Sequence, residues 1–401
     1  MNDLICRNDN ASYRPLPTKI GIGKLPLNIF ATMVLCFFTL FNLNKTSAAL
    51  RFIAIPLFIC FVLSILPFFG SKKNIKQYIP IFAFGLVAVL STLISDVVLW
   101  SATASSLVIF IFLFFVITVP NNSGREIKML LKFYSRMILI VSLIILVNYL
   151  FDYSLNDGRV SITFLDVRKD ENYLSAFLSF GFAYYLLSFF CLETKKFRHI
   201  ISALIIFLAI FLTGSRAALI SIAISLLFIL INEFTNKDKN NGTKIIVLLV
   251  SFFLLLFLYL GLQGNILFSR ITDAEGFSTN IRLRIWSYAI EAFTRRPFIG
   301  SGIQSGTYFA QQTLRWYTHS CFVDLITSVG ILGALLFLIV IFDFVRVKRG
   351  NKLCMLTIIL SMFVPLFFIN GFECATFWFP MILCKLISKS LKTNSIKEIL
   401  L

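Results

Sequence analysis

Residues 199–232 decide the fold, and they read HIISALIIFLAIFLTGSRAALISIAISLLFILIN. The stretch consists of two apolar runs, 199–213 and 216–232, which are separated only by a short break of turn-forming residues. Apolar runs of this kind are typical of membrane-spanning helices, and so short a break predicts a tight hairpin between two spans. Arg216, which opens the second run, is therefore expected to lie at a membrane surface.

The composition of the whole chain agrees with a membrane protein. Its 401 residues are 58% hydrophobic and include 46 phenylalanines, and the mean hydropathy is +0.88. Soluble proteins are only about 45–50% apolar. We therefore expect an all-α, polytopic integral membrane protein that forms a single domain over residues 1–401. Hydropathy predicts about twelve spans, at 27–43, 48–70, 78–97, 102–119, 129–151, 172–192, 199–213, 216–232, 244–262, 320–345, 353–370 and 374–391.

Most of the lysines lie on one side of this topology, and nearly all the cations on the other side are arginines. Loops on one side carry Lys72, Lys73, Lys76, Lys128, Lys132, Lys195, Lys196, Lys237, Lys239, Lys244, Lys348 and Lys352. By the positive-inside rule this side is cytoplasmic. The tails 1–26 and 392–401 are then also expected to lie in the cytoplasm. The net charge of +18 is spread over short loops, which favours contact with membrane lipids and not with nucleic acid.

Arginines dominate the opposite, periplasmic side, where the rule predicts few cations. They are Arg159, Arg168, Arg216, Arg270, Arg282, Arg284, Arg295, Arg296 and Arg315, and the only lysines expected on this side are Lys45 and Lys169. Arginine suits phosphate because its planar guanidinium donates two hydrogen bonds at once and stays charged. A bound anion is the simplest explanation for this concentration of arginine.

One large periplasmic loop, 263–319, separates the ninth and tenth predicted spans. Within it the stretch 281–295 has apolar residues at helical spacing. Pro297 is expected to end this helix, and the turn-forming residues 300–302 follow it. The loop is too short for an independent domain, so we expect it to cap the helical bundle.

Candidate phosphate ligands occur at the hairpin and in the large loop. At the hairpin, Arg216 with Ser215 in support either binds an anion at a helix start or anchors the span at the interface. In the loop, Arg282 and Arg284 either donate to phosphate or are solvated charges. Arg295 and Arg296 lie at a helix end, where complementing the helix dipole is the favoured interpretation.

His319 is the candidate catalytic residue, because a histidine pKa suits general-base catalysis near neutral pH. Asp324, five residues further on, could orient its imidazole or could equally make a buried polar contact. Asn172 is a possible supporting residue, although a helix-capping role is favoured for the segment 170–172. The two histidines lack metal-binding spacing, so neither a metal site nor a cofactor is expected.

Short motifs in this order resemble signatures of the O-antigen polymerase and ligase superfamily. The T-x-S-R signature is matched at 213–216, an R-x-x-x-W…F…P-x-x-G-x-G loop pattern at 282–302, and an H-S…G-I-x-G segment at 319–333. A looser D-x-N match lies at 170–172. The similarity covers residues 165–335 and rests on the order and spacing of the motifs.

The resemblance implies a GT-C-like membrane glycosyltransferase whose active site faces the periplasm. Its donor would be an oligosaccharide on undecaprenyl pyrophosphate, its second substrate an acceptor glycan, and a chain-length regulator is a candidate partner. By motif position, Arg216 and Arg282 would bind the pyrophosphate and His319 would act on the acceptor hydroxyl. Arg284 is added as a ligand through its proximity to Arg282, and Ser320 stands where the family more often has asparagine.

Two activities of that superfamily compete, together with one of another class. A polymerase joins repeat units on the lipid carrier, whereas a ligase passes the finished chain to lipid A-core. The richness in Asn, Lys, Phe and Ile favours a polymerase. The transfer itself is expected to need no metal ion and to invert the configuration at the anomeric carbon. A transporter or flippase of lipid-linked sugars would show charged residues at mid-span and internal repeats, and the sequence offers little of either.

Overall fold

The computed structural model describes residues 79–95, 124–151, 155–156, 159–164, 167–168, 170–191, 197–235, 277–314, 318–347, 349–369 and 375–393, with Ile29, Met33, Ile245, Leu248, Ser251 and Phe252. We number helices and strands along these residues. The helices are α1 (Ile79–Leu93), α2 (Gly124–Leu150), α3 (Glu171–Cys191), α4 (Phe197–Leu212), α5 (Arg216–Thr235), α6 (Phe277–Arg295), α7 (Ser305–Leu314), α8 (Cys321–Val345), α9 (Lys352–Phe363) and α10 (Ala375–Thr393). A 3-10 turn, Val364–Phe368, continues α9.

The described helices coincide with most of the predicted spans. Within the described residues, α2, α3, α5 and α8 are long and apolar enough to cross a membrane, while α1, α4 and α9 with its 3-10 turn are shorter apolar helices. The chain is therefore a mostly helical membrane protein. The predicted spans 27–43, 48–70, 102–119 and 244–262 lie outside the described residues, apart from the isolated positions named above.

Helix α3 lies at the centre of the bundle. It is apolar on every side, which is typical of a fully enclosed helix, and 94% of its span is buried. It packs against α2, α4, α5 and α9. The hairpin between α4 and α5 is as tight as predicted, but these two helices share few contacts and each packs mainly on other helices. The arginine at the hairpin tip is thus carried on two helices that α3 supports.

The segment after α2 contains short strands that the all-α prediction missed. Strand β1 (Leu155–Asn156) pairs with β2 (Arg159–Val160), and β3 (Thr163–Phe164) pairs with β4 (Val167–Arg168), both antiparallel. The side chain of Asn148 at the end of α2 donates to the carbonyl of Ser161 (2.9 Å). Two-residue strands carry too little periodicity to be predicted from sequence. These hairpins place β2 against the hairpin tip of α4 and α5.

Helix α8 is broken at Gly330, where the sequence predicted a continuous span. Gly330 has φ 64° and ψ −168°, so the helical hydrogen bonds stop and restart there. The segment 297–302 of the large loop supplies the missing partners. Four backbone hydrogen bonds join the two: Ser301 N–H to Thr327 O (2.9 Å), Gly302 N–H to Ser328 O (3.2 Å), Ile331 N–H to Pro297 O (2.8 Å) and Leu332 N–H to Phe298 O (3.1 Å). Backbone that leaves the helix within a membrane must be satisfied by protein in this way.

Close backbone approach explains the glycines of this junction. A Cβ on Gly300 (φ +88°) would lie 2.3 Å from the carbonyl oxygen of Ser328, and one on Gly330 would lie 2.6 Å from the nitrogen of Gly300. Neither backbone has room to move, so only glycine fits. The hydroxyl of Ser91 on α1 also donates to Ser328 O. This part of the loop is therefore hydrogen-bonded to both α1 and α8, and the expectation that the loop caps the bundle stays a prediction.

Candidate functional site

Arg216 lies at the junction of two helix ends. Gly214 adopts a left-handed conformation (φ 62°) and donates its N–H to the carbonyl of Phe211 (3.0 Å), which ends α4 in the usual way. Helix α5 begins at Arg216, whose side chain is exposed. The first N–H groups of a helix lack internal partners and favour anions. The local fold therefore places a guanidinium and free N–H donors at the same point.

Ser215 has a buried hydroxyl beside Arg216. The residue is 1% exposed, and within the described residues its Oγ has no hydrogen-bond partner. A buried hydroxyl without a partner is uncommon. The supporting role expected for Ser215 stays a prediction.

Helix α6 presents Arg282 and Arg284 in different directions. Arg282 is half-buried and shares the bundle-facing side with the buried Ile285 and Ala289. Its guanidinium lies 6.0 Å from the centre of the Phe368 ring, over the ring face. Arg284 leaves the helix about 200° further round and is exposed. A pyrophosphate-binding role for Arg284 stays a prediction, and its direction makes it the weaker candidate of the two.

The fold brings Arg282 and Arg216 together. The pKa of Arg282 is lowered, first by burial and second by the positive charge of Arg216. In the part of the chain that the structure describes, no carboxylate pairs with either guanidinium. Two like charges held close together are unfavourable unless an anion lies between them. This arrangement is typical of an anion site.

His319 occupies a constrained position between two anchored neighbours. It has φ 50°, a left-handed conformation that few residues other than glycine adopt. The indole N–H of Trp286 donates to the carbonyl of Thr318 (2.9 Å), and the Ser320 hydroxyl caps α8 by accepting from the N–H of Val323 (3.4 Å). Trp286 lies one turn after Arg282 on α6, so the same helix positions the imidazole and the guanidinium.

Asp324 holds the segment that carries His319. Its carboxylate accepts hydrogen bonds from the hydroxyls of Thr318 (2.7 Å) and Thr307 (3.2 Å). The sequence left open whether Asp324 orients the imidazole or makes a buried polar contact, and these hydrogen bonds are contacts of the second kind. The bond to Thr318 orients the preceding residue, and a direct action on the imidazole remains a prediction.

The electrostatic surroundings of His319 favour the neutral imidazole. Its pKa is lowered, first by burial and then by the positive charge of Arg282, while the negative charge of Asp170 acts in the opposite direction. Arg282 and Asp170 therefore both lie close enough to act on it. A neutral imidazole at neutral pH is the form that accepts a proton.

The segment 170–172 caps a helix, as the sequence favoured. The Asp170 carboxylate accepts from the N–H groups of Asn172 (2.9 Å) and Tyr173 (3.3 Å) at the start of α3. Capping places Asp170 within electrostatic reach of His319. The same carboxylate is thus able to stabilise a helix and to modulate the histidine.

Arg159 is a residue of this region to which the sequence assigned no role. Its Nε donates to the carbonyl of Thr213 (2.8 Å) and its Nη2 to the side-chain oxygen of Asn172 (3.1 Å). Its Nη1 also lies 3.5 Å from the Glu171 carboxylate. Arg159 therefore ties β2 to the α4–α5 hairpin and to the start of α3. In the sequence, Arg159 stood out only as one of the outer-side arginines. No spacing of residues predicted its contacts with Thr213, Asn172 and Glu171.

Arg295 and Arg296 make contacts that suit a structural role. Arg295 pairs with Glu291 one turn earlier (3.2 Å) and lies over the Phe309 ring at 4.5 Å from its centre. Arg296 donates to the backbone carbonyl of Ile94 at the end of α1. Both side chains attach the end of α6 to its surroundings.

Comparison with known families agrees with this geometry. Residues 201–338 match the model of the O-antigen ligase family. Over these residues the chain is therefore similar to the O-antigen polymerase and ligase superfamily. The match contains Arg216, Arg282 and His319, whereas Arg159 and Asn172 precede it. Comparisons with curated proteins and with solved structures found no match.

The match implies a glycosyltransferase-like activity of the ligase or polymerase type, acting on a lipid-linked glycan and an acceptor. The resemblance at the three motifs is confirmed over the matched residues. The matched segment also contains Gly330 and residues 297–302. The P-x-x-G-x-G and G-I-x-G motifs therefore both lie at the place where these two backbone segments are hydrogen-bonded to each other.

Proposed function

We propose that the protein is a polymerase of O-antigen or a related surface polysaccharide. It transfers a glycan from undecaprenyl pyrophosphate to the hydroxyl of an acceptor sugar at the periplasmic face of the inner membrane. The observation that carries the proposal is the convergence of Arg216, Arg282 and His319 at one end of the bundle. Two guanidiniums that have no carboxylate partner among the described residues suit a pyrophosphate, and a neutral imidazole suits an acceptor hydroxyl.

The two arginines act on the leaving group. As the bond between the anomeric carbon and the pyrophosphate oxygen breaks, negative charge builds on that oxygen. Arg216 and Arg282 lie ready to hydrogen-bond to this charge without reorganising, and such preorganised donors contribute strongly to catalysis. The free N–H groups at the start of α5 and the Ser215 hydroxyl are further donors. These groups allow the reaction to proceed without a metal ion.

His319 acts on the acceptor. The acceptor oxygen attacks the anomeric carbon from the side opposite the leaving group, so the configuration inverts, and the acceptor proton passes to the neutral imidazole. The imidazolium that forms lies near the positive charge of Arg282, and in the absence of a bound anion the two cations repel each other. The pyrophosphate bound between the arginines offsets that repulsion, so donor binding and proton acceptance support each other.

The test is transfer by the purified protein. Given a synthetic repeat unit on undecaprenyl pyrophosphate, it is expected to form longer lipid-linked glycans and release undecaprenyl pyrophosphate, also in the presence of EDTA. Arg216→Ala should lower the rate by about 10²–10³-fold. Arg216→Lys should fail almost as badly, because lysine lacks the two-point geometry.

The matched control is Arg295→Gln, which removes an arginine that pairs with Glu291 on the exposed face of α6. It should keep nearly full activity. Equal activity of Arg216→Ala and the wild type would end the assignment of this residue. Movement of the lipid-linked sugar across vesicles without any glycosyl transfer would instead support the transporter.

The ligase is the second candidate, because the matching family model carries that description. Deletion of the gene separates the two. Loss of a polymerase leaves core bearing a single repeat unit, because a separate ligase still acts. Loss of a ligase leaves bare core with polymer stranded on the carrier, and that gel pattern would overturn the polymerase proposal.

A further inference from the structure

A charged cavity lies at the end of the bundle opposite Arg216, Arg282 and His319. We call this opposite end the lysine end, and it contains the last turns of α8 and α10. The cavity has a volume of about 310 Å³. It is lined by Pro80, Ile81, Ile339, Val340, Asp343, Arg346, Lys385 and Lys392. Three helices, α1, α8 and α10, therefore contribute to its walls.

One carboxylate holds two lysines of the cavity in place. The Nζ of Lys385 lies 2.5 Å from one oxygen of Asp343, and the Nζ of Lys392 lies 3.1 Å from the other. Lys385 is only 8% exposed, so its charge is largely withdrawn from water. A buried lysine needs such a partner. The pairing fixes the positions of both ammonium groups at the cavity wall.

The cavity still carries excess positive charge. Asp343 offsets one of the two lysines, and Arg346 adds a further cation. Arg346 is exposed, and among the described residues it has no ion-pair partner. Lys389 lies between the two lysines on α10, at the spacing that places all three along one side of a helix. The cavity wall itself carries three cations, Arg346, Lys385 and Lys392, and one carboxylate, that of Asp343. An anion in the cavity would therefore be attracted.

The side of α8 that leads to the cavity is apolar and open. Leu335, Leu338, Ile339 and Phe342 recur at helical spacing. They are 54%, 47%, 51% and 64% exposed. Ile339 belongs both to this ridge and to the cavity wall. In a membrane protein such a ridge faces acyl chains, so the cavity opens where lipid headgroup and lipid tail meet.

We propose that this cavity binds the phosphate headgroup of an anionic phospholipid, with the acyl chains along the apolar ridge of α8. The phosphate lies between Arg346 and Lys392 and near Lys385. Basic pockets between spans on the cytoplasmic side are suited to anionic headgroups. A free phosphate would meet the same cations but would leave the apolar ridge unused, which is why the lipid is the favoured occupant.

The experiment is lipid binding to the purified, delipidated full chain, followed by native mass spectrometry. Phosphatidylglycerol is titrated against phosphatidylcholine with the same acyl chains. The wild type should bind phosphatidylglycerol preferentially. The double variant Arg346→Gln, Lys392→Gln should bind it about 25-fold more weakly, about fivefold for each cation removed.

The matched control is Arg125→Gln, Arg198→Gln, which removes the same charge from the first turns of α2 and α4. These turns lie at the same end of the bundle but do not line the cavity. The control should bind phosphatidylglycerol nearly as the wild type does. Equal weakening in both double variants would mean general surface attraction and would overturn the site.

Two further measurements test the lipid assignment. Asp343→Asn removes the only carboxylate that lines the cavity among the described residues, so it should strengthen phosphatidylglycerol binding; weaker binding by a folded Asp343→Asn protein would contradict the proposal. Inorganic phosphate at millimolar concentration should not displace the lipid. Displacement would show that the site takes any phosphate anion and would overturn the choice of a lipid.

Discussion

The two ends of the bundle treat positive charge in opposite ways. At the end with the hairpin tip, Arg216 and Arg282 lie close enough for one to lower the pKa of the other, with no carboxylate paired to either among the described residues. At the lysine end, Lys385 and Lys392 share the two oxygens of Asp343. Both ends have several cations around a small space. Among the described residues, Asp343 pairs with both lysines, whereas neither Arg216 nor Arg282 has such a carboxylate.

This difference separates a charge arrangement that stabilises the fold from one that awaits a ligand. A paired lysine contributes to folding, since its partner offsets the cost of burial. Two facing arginines oppose folding, and such an arrangement is expected where the missing charge arrives with a substrate. The same contrast exists between neighbouring arginines at the hairpin end. Unlike Arg216 and Arg282, Arg159 is paired within the protein, with Glu171, Asn172 and the carbonyl of Thr213.

The largest expected effect is the loss of His319. His319→Ala should lower turnover by about 10²–10⁴-fold, the usual contribution of a general base, while donor binding persists because both arginines remain. His319→Asn is the better variant, because asparagine tolerates the left-handed backbone at this position. Turnover and donor binding are measured separately. Wild-type turnover in a folded His319→Asn protein would make the histidine structural.

The next largest effect should separate the two arginines of α6. Arg282→Ala should lower kcat/KM by about 10²–10³-fold, because it removes a donor to the leaving group. Arg284→Ala, on the exposed side of the same helix, should lose far less and serves as the matched control. The two rates are compared at equal expression. A dead Arg284→Ala with a nearly normal Arg282→Ala would mean that the other side of α6 faces the substrate.

Stability should change in opposite directions at the two ends. Asp343→Asn leaves Lys385 without its counter-charge and should lower the free energy of unfolding by roughly 1–3 kcal/mol, since Asp343 is partly exposed and part of the penalty is relieved by solvent. Arg282→Gln removes a repulsion and should leave the thermal midpoint unchanged or raise it. Both midpoints are measured in the same detergent. A large drop for Arg282→Gln would mean that the contacts of Arg282 within the protein, such as that with the Phe368 ring, outweigh the repulsion from Arg216.

The smallest effect concerns the pH dependence of kcat/KM. The negative charge of Asp170 raises the pKa of His319, so Asp170→Asn should lower that pKa further. Because the neutral imidazole is the active form, the acid limb of the profile should move to lower pH. Asparagine also caps helices, which keeps the start of α3 intact. Glu291→Gln, on the exposed side of α6, should leave the limb in place, and a shift to higher pH in Asp170→Asn would contradict the assignment.

Local patterns were sufficient for several features of this chain. The two apolar runs of 199–232 predicted α4 and α5 and the tight turn between them, and helical spacing predicted α6 up to Pro297. These predictions succeeded because hydrophobic periodicity and turn chemistry act over a few residues. The same reasoning placed Arg216, Arg282 and His319 among the candidates before any contact between them was known.

Sequence by itself therefore determined that this is a membrane protein of apolar helices. It also determined which side chains are chemically suited to bind an anion or to accept a proton. Only the tertiary structure decided which of them meet. The Gly330 break was hidden in an apolar run, because its hydrogen-bond partners lie in the segment 297–302. The links from Arg159 likewise join residues that are far apart along the chain. Such contacts leave no local periodicity, since they are set by how helices pack and where unsatisfied backbone groups find partners.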